Sequence, residues 1–407
     1  MPCRVDGMGD VLSLVYRHDE WRLRRCINLQ CSENITSEAV RRILSSDMGH
    51  RYTLPINEDV HGSFVSNAYR GTRYMDETEA EGDELARRLY HGRFATIKPL
   101  SGHIAAMIML AAACRRGDRI LAVDAKHGGY DGYLQENMAG MLGLKVDFLP
   151  FDQSRWNVDS DAAARKIRRH RPRMIVLGAS FLLFPYDMAP LREAADEVDA
   201  LIGYDGSHVL GLIAGGVFQD PLAEGADILV GSTHKSLFGP QGGLVVCKDE
   251  EIFKEVAKSF FWKIMDNAHW NRIAALTQAL SEAKEHGKEY ARQVVRNSKA
   301  LAAGLNERSL DIKFPEMGFT ECHQFHLDES ALKSRRGLTL DAYARRLEKS
   351  NLIVDAVGRI GTNEVTRLGA DESAMAEIAS LLIRALRGRS ISKEVISLRS
   401  KLRMTYC

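Results

Sequence analysis

Gly231-Ser232-Thr233-His234-Lys235-Ser236 follows directly on the apolar run Ile228-Leu229-Val230 and precedes Gly239-Pro240-Gln241-Gly242-Gly243. A lysine at the end of a buried strand loses the hydration of its ammonium form. Its pKa falls, and the neutral amine can form a Schiff base with a carbonyl compound. Neighbouring hydroxyls can donate to a phosphate, and the glycines let backbone pack closely. The competing reading is a strand end whose lysine snorkels to water. Asp205 lies thirty positions earlier, in Tyr204-Asp205-Gly206-Ser207-His208. A carboxylate there can pair with a protonated ring nitrogen of a cofactor, or it can cap the next helix. Ser101-Gly102-His103 precedes the apolar stretch IAAMIMLAAAC. Small residues at a helix start expose N–H groups and the positive end of the dipole, which suits a phosphate.

An imine-forming carbonyl, a ring nitrogen and a phosphate together describe pyridoxal 5'-phosphate. Strands and helices must bring the three segments together. From about residue 80 to 247, apolar β-branched runs alternate with helical stretches. The runs are Arg119–Val123, Val146–Leu149, Met174–Leu177, Leu201–Tyr204, Ile228–Val230 and Leu244–Cys247. The helical stretches fall near 82–91, 103–115, 160–170 and 190–197. This alternation predicts an α/β fold with a mostly parallel sheet, whose ligand sits beyond the carboxyl ends of the strands. A helix over 269–307 follows, then a strand near 324–327 and helices near 339–349 and 372–386. A short helix is expected over 35–47, a long loop over 53–67, and a loose helix after 388. The expected organisation is an N-terminal arm (1–45), a large cofactor-binding domain (46–280) and a smaller α+β domain with a tail (281–407).

A chain of 407 residues exceeds a single hydrophobic core of roughly 250–300 residues. The 55 basic and 54 acidic residues give a net charge of +1, which offers no electrostatic case for nucleic acid or an anionic membrane. Seven scattered cysteines without a CxxC pair argue against zinc and against a disulfide framework. No apolar run approaches the ~20 residues of a membrane helix. The expectation is a cytoplasmic protein with no metal.

These motifs resemble the serine hydroxymethyltransferases, pyridoxal-phosphate enzymes of fold type I, and especially their archaeal-type sequences. The resemblance covers about 25–385. Beyond the segments above, it rests on Leu29–Ser37 (LQCSENITS), His127-Gly128-Gly129, Tyr204–Gly211 and Arg359-Ile360-Gly361-Thr362. It implies that Lys235 carries the cofactor, that Asp205 faces the pyridine nitrogen and that His208 lies near the phenolic oxygen. Ser101, Gly102 and His103 fall in the phosphate loop, Ser180 on a cofactor-contacting serine, and Ser232 and His234 beside the lysine. Arg359, assisted by Ser32, matches the arginine that grips the substrate carboxylate. Tyr52 and Tyr69 match two active-site tyrosines. The family supplies one of these from the partner subunit, which implies a homodimer with shared sites.

The chain departs from the family in four places. Leu54 stands where the pattern Tyr-x-Glu-Gly has the acid/base glutamate of the pterin-linked step, and a leucine moves no proton. Tyr52 and Tyr69 are seventeen apart rather than about ten; the added residues include Glu58, Asp59 and His61, one of which can substitute or all of which form a solvated loop. Tyr130 replaces the histidine expected to stack on the ring, and an aromatic face serves that purpose as well. The segment before Arg359 lacks the family's Asn- and Pro-containing stretch. The cofactor and carboxylate features persist while two pterin-facing features are absent. The expected activity therefore makes or breaks the Cα–Cβ bond of a β-hydroxy-α-amino acid without folate, as an aldolase or transaldolase. L-threonine, L-serine or glycine would be the amino-acid side, with an aldehyde. The alternatives are a tetrahydrofolate- or pterin-dependent glycine hydroxymethyltransferase and a non-catalytic cofactor-binding homologue.

Overall fold

The apolar runs pair into one seven-stranded sheet in a computed structural model that describes residues 10–60, 63–260 and 263–407. Its strands in chain order are β1 Phe94–Thr96, β2 Arg119–Ala122, β3 Lys145–Phe148, β4 Met174–Leu177, β5 Leu201–Asp205, β6 Ile228–Ser232 and β7 Gly243–Cys247. Their spatial order is β1-β7-β6-β5-β4-β2-β3. From β3 to β6 every pairing is parallel, and β7 runs antiparallel to both β6 and β1. Strands β4, β6 and β7 are buried at every residue, which is why they read as unbroken apolar runs rather than alternating ones. The helix Gly102–Ala113 packs Ala105, Ile108 and Met109 against this sheet beside Val176, Val230 and Val245. Each such fully buried aliphatic side chain contributes about 1.5–3 kcal/mol relative to exposure.

Contacts divide the chain into two compact units, Ser32–Arg292 with Cys407, and Met1–Cys31 with Gln293–Tyr406. The first holds the sheet. The second holds the helices Val11–Arg24, Leu340–Glu348, Glu372–Leu386 and Ser392–Lys401. It also holds two small pairings, Ile27–Asn28 with Leu352–Ile353 in parallel and Gln324–His326 with Arg359–Gly361 in antiparallel register. The helix Trp270–Glu307 runs through the boundary, close to its expected span. No helix among the described residues is long and apolar enough to cross a membrane.

Three expectations need correction. The segment 53–67 is not a loop: Pro55–Val60 and Ser63–Asn67 pair as an antiparallel hairpin. A register shift between Pro55 and Glu58 breaks the period of two on which a strand is recognised. His61 lies outside the described residues. The helix expected at 82–91 begins earlier, at Arg73, where Thr72 Oγ1 donates to Asp76 and Arg73 pairs with Glu77. That first half is polar, so only the second half shows a helical apolar stripe. The N-terminal arm contains an unforeseen helix, Val11–Arg24, with no buried residue.

Candidate active site

Three strand ends and one helix start converge on a cavity, open to solvent, of about 370 Å³. Gly102, His103, Tyr130, Ala179, Ser180, Asp205, Ser207, His208, Ser232 and Lys235 line it. The expected residues Gly102, His103, Tyr130, Ser180, Asp205, His208, Ser232 and Lys235 are thus brought together. Ala179 and Ser207 join them.

Asp205 ends β5 and is 8 % exposed. Its Oδ1 accepts from Ser207 N at 3.0 Å and Ser207 Oγ at 2.6 Å, and its Oδ2 accepts from Tyr133 Oη at 2.9 Å. Buried carboxylates persist when hydrogen bonds meet their lone pairs, and three donors do so here. The carboxylate therefore has a fixed orientation. Its bond to Ser207 N closes the turn after β5. Burial, then the Asp205 charge, pushes the Tyr133 phenol well above its ordinary pKa, so Tyr133 remains a donor. Ser207 Oγ also accepts from Ser232 N at 3.0 Å, which ties the ends of β5 and β6 together.

Lys235 lies in the turn after β6. Asn34 Nδ2 donates to the Lys235 carbonyl at 2.7 Å and meets Tyr290 Oη at 2.9 Å. Ser236 Oγ accepts from Gly211 N at 3.0 Å, and Thr233 Oγ1 donates to the Pro240 carbonyl at 2.7 Å. The backbone on both sides of the lysine is therefore fixed. His234 does not line the cavity. Its Nδ1 is buried with no hydrogen-bond partner among the described residues. Burial first, and then the Lys235 charge, lowers its pKa to about 4.

The helix Gly102–Ala113 starts at the cavity. Ser101 accepts from Ile104 N at 3.1 Å through Oγ, so its side chain caps the helix and is not among the lining residues. A Cβ at Gly102 would lie 2.1 Å from Ser232 Oγ, which only glycine avoids. His103 Nδ1 and Tyr130 Oη are 2.8 Å apart. Gly128, at φ +81°, and Gly129 turn the chain so that Gly128 O accepts from Ser180 N at 2.8 Å. This turn places Tyr130 and Ser180 on one cavity. Burial, then Asp205 and Asp131, raises the Tyr130 pKa.

Tyr52 and Tyr69 are not lining residues. Their rings meet edge to face at 5.2 Å, and Tyr52 Oη donates to Asp266. That bond, more than burial, pushes the Tyr52 phenol up to about 12. Asn67 Oδ1 accepts from Leu54 N at 3.1 Å and Tyr69 N at 3.0 Å, so Asn67 joins the two tyrosine segments at the base of the hairpin. Ser32 is half-buried in the turn after Cys31. Arg359 belongs to the other unit, where its Nε donates to Asp355 Oδ2 at 2.7 Å. Sequence reasoning missed Tyr133, Ser207, Asp266 and Asp355. Only Ser207 carried a signal, as the second residue after Asp205 in an Asx-turn position.

The serine hydroxymethyltransferase family model matches residues 8–382. This chain belongs to that family. The serine hydroxymethyltransferase of Methanothermobacter marburgensis is 39 % identical, over 97 % of this chain and 94 % of its own. Those of Methanopyrus kandleri and Methanocaldococcus jannaschii are 38 % and 40 % identical, over 96 % and 90 % of this chain and 92 % and 87 % of theirs. Among solved structures, L-threonine transaldolase from Pseudomonas fluorescens in its internal aldimine state superposes with a TM-score of 0.86. It is 24 % identical and covers 97 % of this chain and 92 % of its own, and the likeness establishes fold type I. As a member of this family, the protein is a pyridoxal-phosphate enzyme. The cavity fits that cofactor. It combines an amine, a fully hydrogen-bonded carboxylate and a helix start that only glycine lets so close to Ser232.

Proposed function

We propose that this enzyme makes and breaks the Cα–Cβ bond of a β-hydroxy-α-amino acid, such as L-threonine or L-serine, without a pterin. The reaction releases the Cβ fragment as an aldehyde and leaves glycine, or replaces that aldehyde with a second one on the same Cα. One observation carries the reading: Leu54 stands where the family places its acid/base glutamate, built into the base of a hairpin through Asn67. The loss of the Asn- and Pro-containing stretch before Arg359 supports it from a second segment. The fold also carries L-threonine transaldolase chemistry in the Pseudomonas fluorescens protein.

In this reading Lys235 anchors the cofactor. Gly102, His103 and Ser232 hold its phosphate, with Ser101 fixing the helix and His234 the turn. Asp205 faces the ring nitrogen, while His208, Tyr130 and Ser180 border the ring. When bound, pyridoxal phosphate supplies an electron sink for the bond broken at Cα. The protein's residues decide which bond that is. Arg359 and Ser32 bind the substrate carboxylate and so set the orientation of Cα. Asp205, held in one orientation by three donors, faces the ring nitrogen and favours a positive charge there. Tyr52 keeps its proton at neutral pH, as any phenol does, and Asp266 holds it the more firmly by accepting it. With Tyr69 it acts across a homodimer with shared sites, in the cytoplasm.

A second reading is a tetrahydrofolate-dependent glycine hydroxymethyltransferase, favoured by the names of the archaeal relatives. Steady-state cleavage of L-threonine and L-serine, with and without tetrahydrofolate, separates the two. The proposal expects equal rates. A pterin-dependent rise in serine cleavage, or in the visible absorbance formed with glycine, would overturn it.

A further inference from the structure

Arg359 does not stand alone in its unit. Four residues before it, Asp355 is 8 % exposed and collects donors on both oxygens. Oδ1 accepts from Val357 N at 3.1 Å and Arg359 N at 2.9 Å, while Oδ2 accepts from Arg359 Nε at 2.7 Å. Cys31 Sγ lies 3.9 Å from the same Oδ2. The side chains of the pair are 12 % and 7 % exposed, so neither charge is dispensable to the other. The spacing of four is not helical here. It spans the turn between Leu352–Ile353 and Arg359–Gly361, in which Gly358 takes φ +87°.

We propose that Asp355 is a positioning residue for the substrate carboxylate. It holds the guanidinium of Arg359 at Nε and so fixes the plane in which that group meets a carboxylate substrate. The inference rests on the reading that Arg359 binds the amino acid's carboxylate. The backbone behind the pair is rigid. Arg359 pairs with His326 in the sheet register, and Gly361 N donates to the Leu29 carbonyl at 2.8 Å. The Cys31 carbonyl accepts from Asn363 Nδ2 at 3.0 Å. A planar fork fixed along one edge loses little freedom when it binds a second carboxylate along another.

Asp355→Asn separates positioning from the turn. The amide oxygen still accepts from Val357 N and Arg359 N, but its NH2 group cannot accept from Nε. Binding of glycine is read from the absorbance change of the holoenzyme, and glycinamide, which lacks the carboxylate, is read in parallel. The Kd and KM for glycine or L-threonine should rise roughly tenfold or more, as when an orienting partner of a binding group is lost. The glycinamide Kd and the cofactor spectrum should move far less. An unchanged glycine Kd, or an equal loss for both ligands, would overturn the proposal. Should the Asn variant not fold, Asp355→Glu is read in the same way, since it keeps the charge but displaces it by one methylene. Arg359→Gln distinguishes the two levels. If it leaves glycine binding intact, the reading of Arg359 fails. If it weakens glycine binding while Asp355→Asn does not, only the positioning role fails.

Discussion

Gly102→Ala probes how the cavity is assembled. The added Cβ would lie 2.1 Å from Ser232 Oγ, 2.9 Å from Ser232 N and 3.1 Å from Ser207 Oγ. Turning the serine side chain relieves the first contact but leaves the backbone one. Ordinary contact begins near 3.4 Å, so the helix start must retreat from β6 by about 0.5 Å with the serine turned away, and by about 1.3 Å without that. Overpacking of this kind costs about 1–3 kcal/mol. Expressed in cofactor affinity, that is roughly a 5- to 150-fold rise in Kd. Absorbance titration of cofactor-free protein with pyridoxal phosphate measures it. Adding Ser232→Ala removes the nearest atom and should restore part of the loss. Gly287→Ala is the control, because its Cβ would meet nothing closer than 3.9 Å. Wild-type cofactor affinity in Gly102→Ala would refute the claim that this helix start and strand end share the cofactor cavity.

Asp205→Asn keeps a partner for Ser207 but removes the charge, and kcat should fall at least about 100-fold, with the cofactor spectrum altered. Arg272→Met removes a buried guanidinium that donates to the carbonyls of Ile97, Lys98 and Ala268; stability in urea should drop by about 2–4 kcal/mol. His234 is held near 4 in the folded protein against an ordinary 6.5, so the unfolded state binds the extra proton. Its contribution is complete above pH 6.5, is lost as pH falls towards 4, amounts to about 3 kcal/mol at most, and should disappear from the pH–stability curve of His234→Gln.

The sheet was legible because strands covered on both faces carry uninterrupted apolar runs, and Asp205 and Lys235 sit where two of those runs stop. The helix start at Ser101 was legible from its cap. The hairpin at 55–67 was not, because its irregular register removes the alternation that marks a strand. Pairings only two or three residues long, such as Ile27–Asn28 and Arg359–Gly361, have no period to detect. Tyr133 reaches Asp205 across seventy-two positions, and Tyr52 reaches Asp266 across two hundred and fourteen, so neither partner leaves a local trace. The Asp355–Arg359 pair was hidden for another reason. Residues four apart are expected to meet on a helix, whereas these meet across a turn.

Borohydride reduction followed by peptide mass mapping tests the central claim most directly. Reduction traps a Schiff base as a stable secondary amine, and the account predicts a phosphopyridoxyl group on the peptide containing Lys235 and on no other. A label on a different lysine, or none in protein that carries the cofactor, would contradict it.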